Sequence, residues 1–411
     1  MAFILILIFI TVAPRTIYAN TQFQYHGGSV AKKVLPDVNS TNAMLLVNIT
    51  VLNNAVFKGA VCLDGSPPAY HLHRGFGSGA NRWLVHMEGG GWCYDMLSCS
   101  GRAASPLGSS LYMGDTIAFT GILSDVRSQN PDFYSWNRVM VRYCDGSSFT
   151  GDVEEVDPIT KVHFRGQRIW QAVMEDLLAK GMYKARQALL TGCSAGGVTT
   201  FIHCDRFNDL LPGSAKVKCM PDAGFFIDSN DISGGNQQRF LVDQMVTLHG
   251  SSKHLPVACT SEMIPSSLCF FPQYLLQWIR TPLLVVNSAY DPLQIRFILV
   301  PAAADPNNYW RNCKMNITRC APWQLRVMEE FTDYMISALT PVSNSRTGGL
   351  FINSCYAHCQ TNVQALWHSP SSPRLYSKTI AEAAGDWYFG RSVVKYIDCP
   401  YPCDSTCNNS F

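Results

Sequence analysis

Short apolar runs separated by polar turns recur along the chain from about Leu46 onward. Trp83-Leu84-Val85-His86-Met87, Val139-Met140-Val141, Ala188-Leu189-Leu190, Pro282-Leu283-Leu284-Val285-Val286 and Leu350-Phe351-Ile352 are β-branched or Leu-rich, with Gly or Asn at their ends. Strands buried on both faces, as in parallel sheets, carry this pattern. Between them the apolar period becomes helical. Ile169, Val173 and Leu177 recur every four residues beside Trp170, Met174 and Leu178, and Gly181 stands where a left-handed helix end is expected. A second helix is predicted from Pro322 to Leu339, with proline at its start and Leu325, Met328, Met335 and Leu339 on one face. Strands alternating with helices predict an α/β architecture, a mostly parallel central sheet flanked by helices. No internal repeat, low-complexity tract or long linker divides the chain, so residues 50–411 read as one domain.

The N-terminal end departs from this pattern. Phe3 to Val12 is a continuous apolar run, followed by Pro14, Arg15 and a stretch ending at Ala19. It is too short to span a bilayer, so residues 1–19 read as a cleaved signal peptide. Residues 20–49 read as an irregular leader, and no later run is long and uncharged enough for a membrane span. Sixteen cysteines, an even number, agree with export into an oxidising compartment and predict at least six disulfides. Sequons at Asn39, Asn48, Asn316 and Asn408 then become candidate glycan sites. Hydrophobic residues make up 47% and charged residues 15%, which excludes a disordered chain and a strongly basic nucleic-acid binder. The net charge of +2 dictates no partner.

The chemistry concentrates where strands end. Gly192-Cys193-Ser194-Ala195-Gly196-Gly197 follows the strand Ala188–Leu190 and precedes a candidate helix, the setting in which G-x-S-x-G forms a nucleophile elbow. A serine nucleophile needs a base for its proton and N–H donors for the oxygen that becomes negative. The run Glu88-Gly89-Gly90-Gly91-Trp92-Cys93 resembles the Gly-rich segment that supplies part of an oxyanion hole. The backbone N–H groups of Gly91, Trp92 and Ala195 are the candidates, with a plain tight turn as the alternative. A phosphate cradle is excluded because no G-x-x-x-x-G-K-[ST] is present. In the chain order Ser…Asp/Glu…His, Asp291 follows the strand Pro282–Val286 and His358 follows Leu350–Ile352. His368 is the rival base, Asp305 and Asp333 are rival acids, and Asp291 could instead cap a turn ahead of Pro292.

Taken together these residues resemble the plant pectin acetylesterases, which share a superfamily with the animal carboxylesterase Notum. The matching blocks are Val61–Tyr70, Glu88–Cys93, Asn130–Tyr134, Val141–Gly146, His163–Gly166, Gly192–Gly197, Asp222–Phe226 and Ser354–Gln360. The resemblance implies an α/β-hydrolase-like fold and serine-type removal of acetyl esters from galacturonan, with Ser194, Asp291 and His358 at the family's catalytic positions. It implies no metal and no organic cofactor, and it suggests disulfides between Cys62 and Cys144 and between Cys93 and Cys99. One departure lies at Asp291-Pro292-Leu293-Gln294, where the family usually carries Trp two residues beyond the acid. Zinc is the competing use of cysteines such as Cys355 and Cys359, or Cys399, Cys403 and Cys407. The expected partner is acetylated pectin in the cell wall, its negative charge met locally by Arg142 or Arg165. The rival functions are a Notum-like deacylase of fatty-acylated protein and a non-catalytic wall protein that binds polysaccharide through exposed aromatics.

Overall fold

Seven parallel strands form the centre of the computed structural model, which describes residues 44–407 and 409. The signal peptide expected at 1–19, most of the leader, and the sequons at Asn39 and Asn408 lie outside the described residues. The strands are β1 (Leu46–Val51), β2 (Ala69–His73), β3 (Arg82–Met87), β4 (Thr116–Ala118) and β5 (Asn137–Val141), then β6 (Gln187–Cys193), β7 (Lys216–Asp222), β8 (Leu284–Ser288), β9 (Gly349–Asn353) and β10 (Lys395–Ile397). They form one ten-stranded sheet in the order β10-β9-β8-β7-β6-β3-β5-β2-β1-β4. Strands β10 to β5 in that order are parallel, and β2, β1 and β4 close the sheet with antiparallel pairings. β1 begins at Leu46, inside the stretch to residue 49 expected to be irregular.

Alternation along the strands divides the core. Val85, Leu190, Val285 and Leu350 face a larger cluster that contains α2 (Gly166–Ala179), α3 (Ala195–Asp209) and α4 (Gln237–Leu248). Leu84, Leu189, Leu284 and Phe351 face the other way, onto the helix Ile380–Phe389. Each inner strand is therefore apolar on both sides, which is why its sequence reads as a continuous run. Helix α2 ends as its pattern predicts, with Gly181 at φ 111°. The helix Pro322–Ala338 buries Met328, Phe331 and Met335. A further helix, α1 (Met96–Ala103), begins beside the Gly-rich loop, with Asp95 and Ser98 in a reciprocal cap.

Strand β7 escapes the hydrophobic reading because Lys216 and Lys218 interrupt it. Both are tolerated at strand level because their ammonium groups lie over aromatic rings. Lys218 Nζ sits 4.2 Å from the Trp387 ring centre and donates to Trp387 O at 2.7 Å. Burial lowers the pKa of Lys218 to about 8.

All sixteen cysteines are paired in eight disulfides. Cys62 joins Cys144 across 82 residues, a closure that contributes on the order of 4 kcal/mol in the chain-entropy picture. Cys93 joins Cys99, fastening the end of the Gly-rich loop to α1.

Candidate active site

Strand β3 hands over to β5 on one side and β6 on the other, so the loops leaving β3 and β6 diverge at the carboxyl end of the sheet. Open α/β sheets place their sites at such a point. Ser194 lies there, between β6 and α3, with φ 60° and ψ −124°. A non-glycine residue holds this conformation only when its surroundings impose it. Here they do. Its N–H donates to Asp222 O at 3.0 Å, and its C=O accepts from Val198 N at 3.0 Å. A Cβ on Gly196 would lie 2.0 Å from Met87 O, and one on Gly89 would lie 2.8 Å from Ser194 Cβ. Those two glycines let α3 and the Gly-rich loop approach the serine.

The Gly-rich loop is braced from behind. Glu88 accepts from Arg142 Nε and from Tyr143 N, both at 2.8 Å. Tyr143 Oη donates to Gly91 O at 2.8 Å and accepts from Ser148 N at 3.1 Å. Ser148 Oγ accepts from Trp92 Nε1 and donates to Ala195 O, again at 2.8 Å. One serine therefore ties the Gly-rich loop to the first turn of α3. The main-chain N–H groups of Gly91, Trp92 and Ala195 donate to no protein acceptor among the described residues. Donors fixed by such a network and left open meet the geometric requirement for stabilising a developing oxyanion. At Ala195 the helix dipole adds to their field.

His358 and Asp291 meet behind this loop. Their side chains are 4% and 0% exposed, and Nδ1 lies 2.6 Å from Oδ2. The other carboxylate oxygen, Oδ1, accepts from Leu293 N at 2.8 Å, so Asp291 also caps the turn ahead of Pro292. Both readings of that aspartate hold, one per oxygen. The rivals stand apart from this pair. His368 Nδ1 contacts Thr379 Oγ1 at 3.0 Å, Asp305 pairs with Lys314, and Asp333 is exposed.

A disulfide ties the loop that carries His358 to the turn that carries Ser194. Cys193, immediately before Ser194, is joined to Cys359, immediately after His358, with Cα atoms 5.4 Å apart. Cys359 takes φ 58°, and the rest of its loop is held at further points. Asn353 Nδ2 donates to Gln360 Oε1 at 2.6 Å, Cys355 is bonded to Cys407, and Thr361 N donates to Asp222 Oδ2 at 2.7 Å. The zinc reading of Cys355 and Cys359 needs free thiolates, and both are consumed in these bonds. The same holds for Cys399, Cys403 and Cys407. Removing the link with Cys193→Ser/Cys359→Ser is expected to lower turnover of an aryl acetate at least tenfold and to depress Tm, since a loop of 166 residues is released. Steady-state kinetics beside a thermal melt check this, and an unchanged kcat would show that the remaining contacts hold the loop.

Asp222, at the end of β7, is a buried carboxylate. Burial raises its pKa to about 6, against hydrogen bonds from Thr361 that favour the charged form. An aromatic wall flanks the imidazole: Phe226 lies 6.3 Å from the His358 ring, and Trp92 packs edge-on against Phe226 and Phe270 at 5.1 and 5.6 Å. Ser148 had no signal in spacing or motif, because it acts through residues far away in the chain.

The two arginines expected to meet the polymer require correction. Arg142 is 7% exposed and holds Glu88 and the His71 ring; Arg165 is 6% exposed and bonds Glu154. Each guanidinium is spent inside the fold, where an unpaired charge would be costly. Of the described sequons, Asn48 is exposed on β1, and the Asn316 side chain accepts from Thr318 N at 3.0 Å.

Comparison with known proteins adds a family. The family model described as Pectinacetylesterase matches residues 39–408. Pectin acetylesterase 7 of Arabidopsis thaliana is 52% identical over 362 residues, covering 88% of this chain and 92% of the relative. The palmitoleoyl-protein carboxylesterase NOTUM of Mus musculus is 30% identical, over 60% of this chain and 50% of its own. The solved structure of the Wnt deacylase Notum from Drosophila superposes with a TM-score of 0.74 at 23% identity, covering 88% of this chain and 99% of that one. The last of these establishes a shared α/β-hydrolase-like fold.

Proposed function

Because the chain belongs to the pectinacetylesterase family, we propose that it is a secreted serine esterase that removes O-acetyl groups from pectin in the cell wall. The observation that carries this reading is the His358–Asp291 pair fastened to the nucleophile elbow by the Cys193–Cys359 bond. Ser194 Oγ attacks the acetyl carbonyl while the imidazole takes its proton. Asp291 holds Nδ1–H, so the ring keeps the tautomer that can accept at Nε2 and is stabilised once charged. The N–H groups of Gly91, Trp92 and Ala195 receive the oxyanion. As the tetrahedral intermediate collapses, the imidazolium gives its proton to the departing sugar hydroxyl. Water, activated by the same ring, then releases acetate and regenerates the serine. The step calls for no metal or organic cofactor.

Eight disulfides support an oxidising, extracellular compartment, with Asn48 and Asn316 as candidate glycan sites. The second reading, removal of a fatty acyl group from a protein, draws on the Notum-like fold. The two differ in the acyl chain, since a fatty-acyl pocket gains about 0.8 kcal/mol for each methylene it buries. On aryl esters, kcat/KM is expected to be highest for acetate and to fall through butyrate to octanoate, and purified protein should free acetate from acetylated pectin. Octanoate preferred tenfold over acetate, with no acetate freed from pectin, would overturn this assignment in favour of lipid deacylation.

A further inference from the structure

Positive and negative charges nearly cancel in this chain, 32 against 30, and several of its arginines have carboxylate partners. Arg142 is paired with Glu88, Arg168 with Asp152 and Arg391 with Asp132. One cluster differs. At the N-terminal ends of the central strands Arg82 of β3, Gln187 of β6 and Lys216 of β7 stand side by side in register. Arg186 is held between them by its main chain, its N–H donating to Asn81 O and its C=O accepting from Lys216 N, both at 2.9 Å. These residues line an open hollow with no acidic residue in its lining. Among the described residues, Arg82, Arg186 and Lys216 pair with no carboxylate.

Two further features give the hollow a chemical preference. Gln187 Oε1 is buried and accepts no hydrogen bond among the described residues, so it offers an acceptor for a hydroxyl. Phe76, next in the chain to Gly77 of the lining, is 45% exposed with its ring edge-on to Tyr134. Three cations without carboxylate partners, of which Lys216 lies over the Tyr388 ring at 5.3 Å, one buried acceptor and an exposed ring match a sugar that carries a carboxylate, hydroxyls and an apolar C–H face.

We propose that this hollow is a second, non-catalytic binding site for an acidic polysaccharide, taking a uronate unit of the polymer that the carboxyl end of the sheet deacetylates. The choice of polymer rests on the function proposed above. The carboxylate sits among Arg82, Arg186 and Lys216, a hydroxyl donates to Gln187, and the ring face lies on Phe76. The six residues of β3 separate the hollow from the Gly-rich loop, about 20 Å at roughly 3.3 Å per residue. A polymer held at one end is thereby presented repeatedly to the other, which raises its effective concentration without touching the chemistry.

The test uses the whole protein and unacetylated polygalacturonate, with neutral galactan as control. Wild type is expected to bind the first, more weakly as salt rises, and not the second. Arg82→Gln/Arg186→Gln/Lys216→Gln should lose at least tenfold in affinity and raise KM on acetylated pectin severalfold, while kcat/KM on an aryl acetate is unchanged. If the triple variant folds poorly, Arg186→Glu, at an exposed position, should give the same pattern. Equal polymer affinity and KM in wild type and variants, or equal binding of galactan, overturns the site. Failure of wild type to free acetate from pectin would instead defeat the proposed function, and the hollow would still be judged by polygalacturonate binding.

Discussion

Ser194→Ala is expected to reduce ester turnover by three or more orders of magnitude while Tm stays within a few degrees of wild type. The size follows from the role, since removing the nucleophile of a serine hydrolase leaves only binding and oxyanion stabilisation to act on water. The small change in stability follows from the position. The conformation of residue 194 is held by main-chain bonds, its N–H to Asp222 O and its C=O from Val198 N, which alanine keeps. Acetate release from an aryl ester, beside a thermal melt and fluorophosphonate labelling, measures all three properties. Substantial turnover by the folded alanine variant would sink the mechanism, and labelling of wild type at another serine would relocate it.

A comparably large loss is expected at the base, and there the structure separates two histidines. His358→Gln removes the ring bonded to Asp291 and should be nearly inactive at every pH tested, whereas His368→Gln should retain most activity, because His368 contacts Thr379 instead. Asp291→Asn should cost up to about 10⁴ in kcat, since an amide in place of the carboxylate favours the wrong imidazole tautomer. Some of that variant's loss will be in stability, because Asp291 Oδ1 also caps the following turn. Asparagine retains a carbonyl for that cap, so the melt should move far less than the rate. Inactivity of His368→Gln alongside an active His358→Gln would mean that the base has been misassigned.

Legibility in the sequence follows the range of the interactions involved. The inner strands β3, β5, β6, β8 and β9 are visible as apolar runs because both faces of each are covered. Strand β7 is not, because its lysines reach aromatic rings supplied from residues 387–389, about 170 positions away. The elbow is readable because its residues stand within five positions of one another, although the glycine two residues after the serine is demanded by the closeness of Met87 O from another strand. Arg142 and Arg165 are buried against Glu88 and Glu154, 54 and 11 positions away, pairings that spacing does not announce.

The sequence by itself determined the α/β class, the serine at a strand-to-helix turn, the order of the candidate acid and base, and the even set of cysteines. Each of these depends on periodicity, on a turn of five residues, or on composition, all of which are local or additive. Only the tertiary structure decided which distant groups meet. The bond from Cys193 to Cys359 spans 166 residues, Asp291 reaches His358 across 67, and Ser148 bridges Trp92 to Ala195 from a loop between them. Spacing carries no information about such pairs, because the sheet order that sets β6 two places from β8 and three from β9 is chosen by burial of whole faces rather than by any residue at the site.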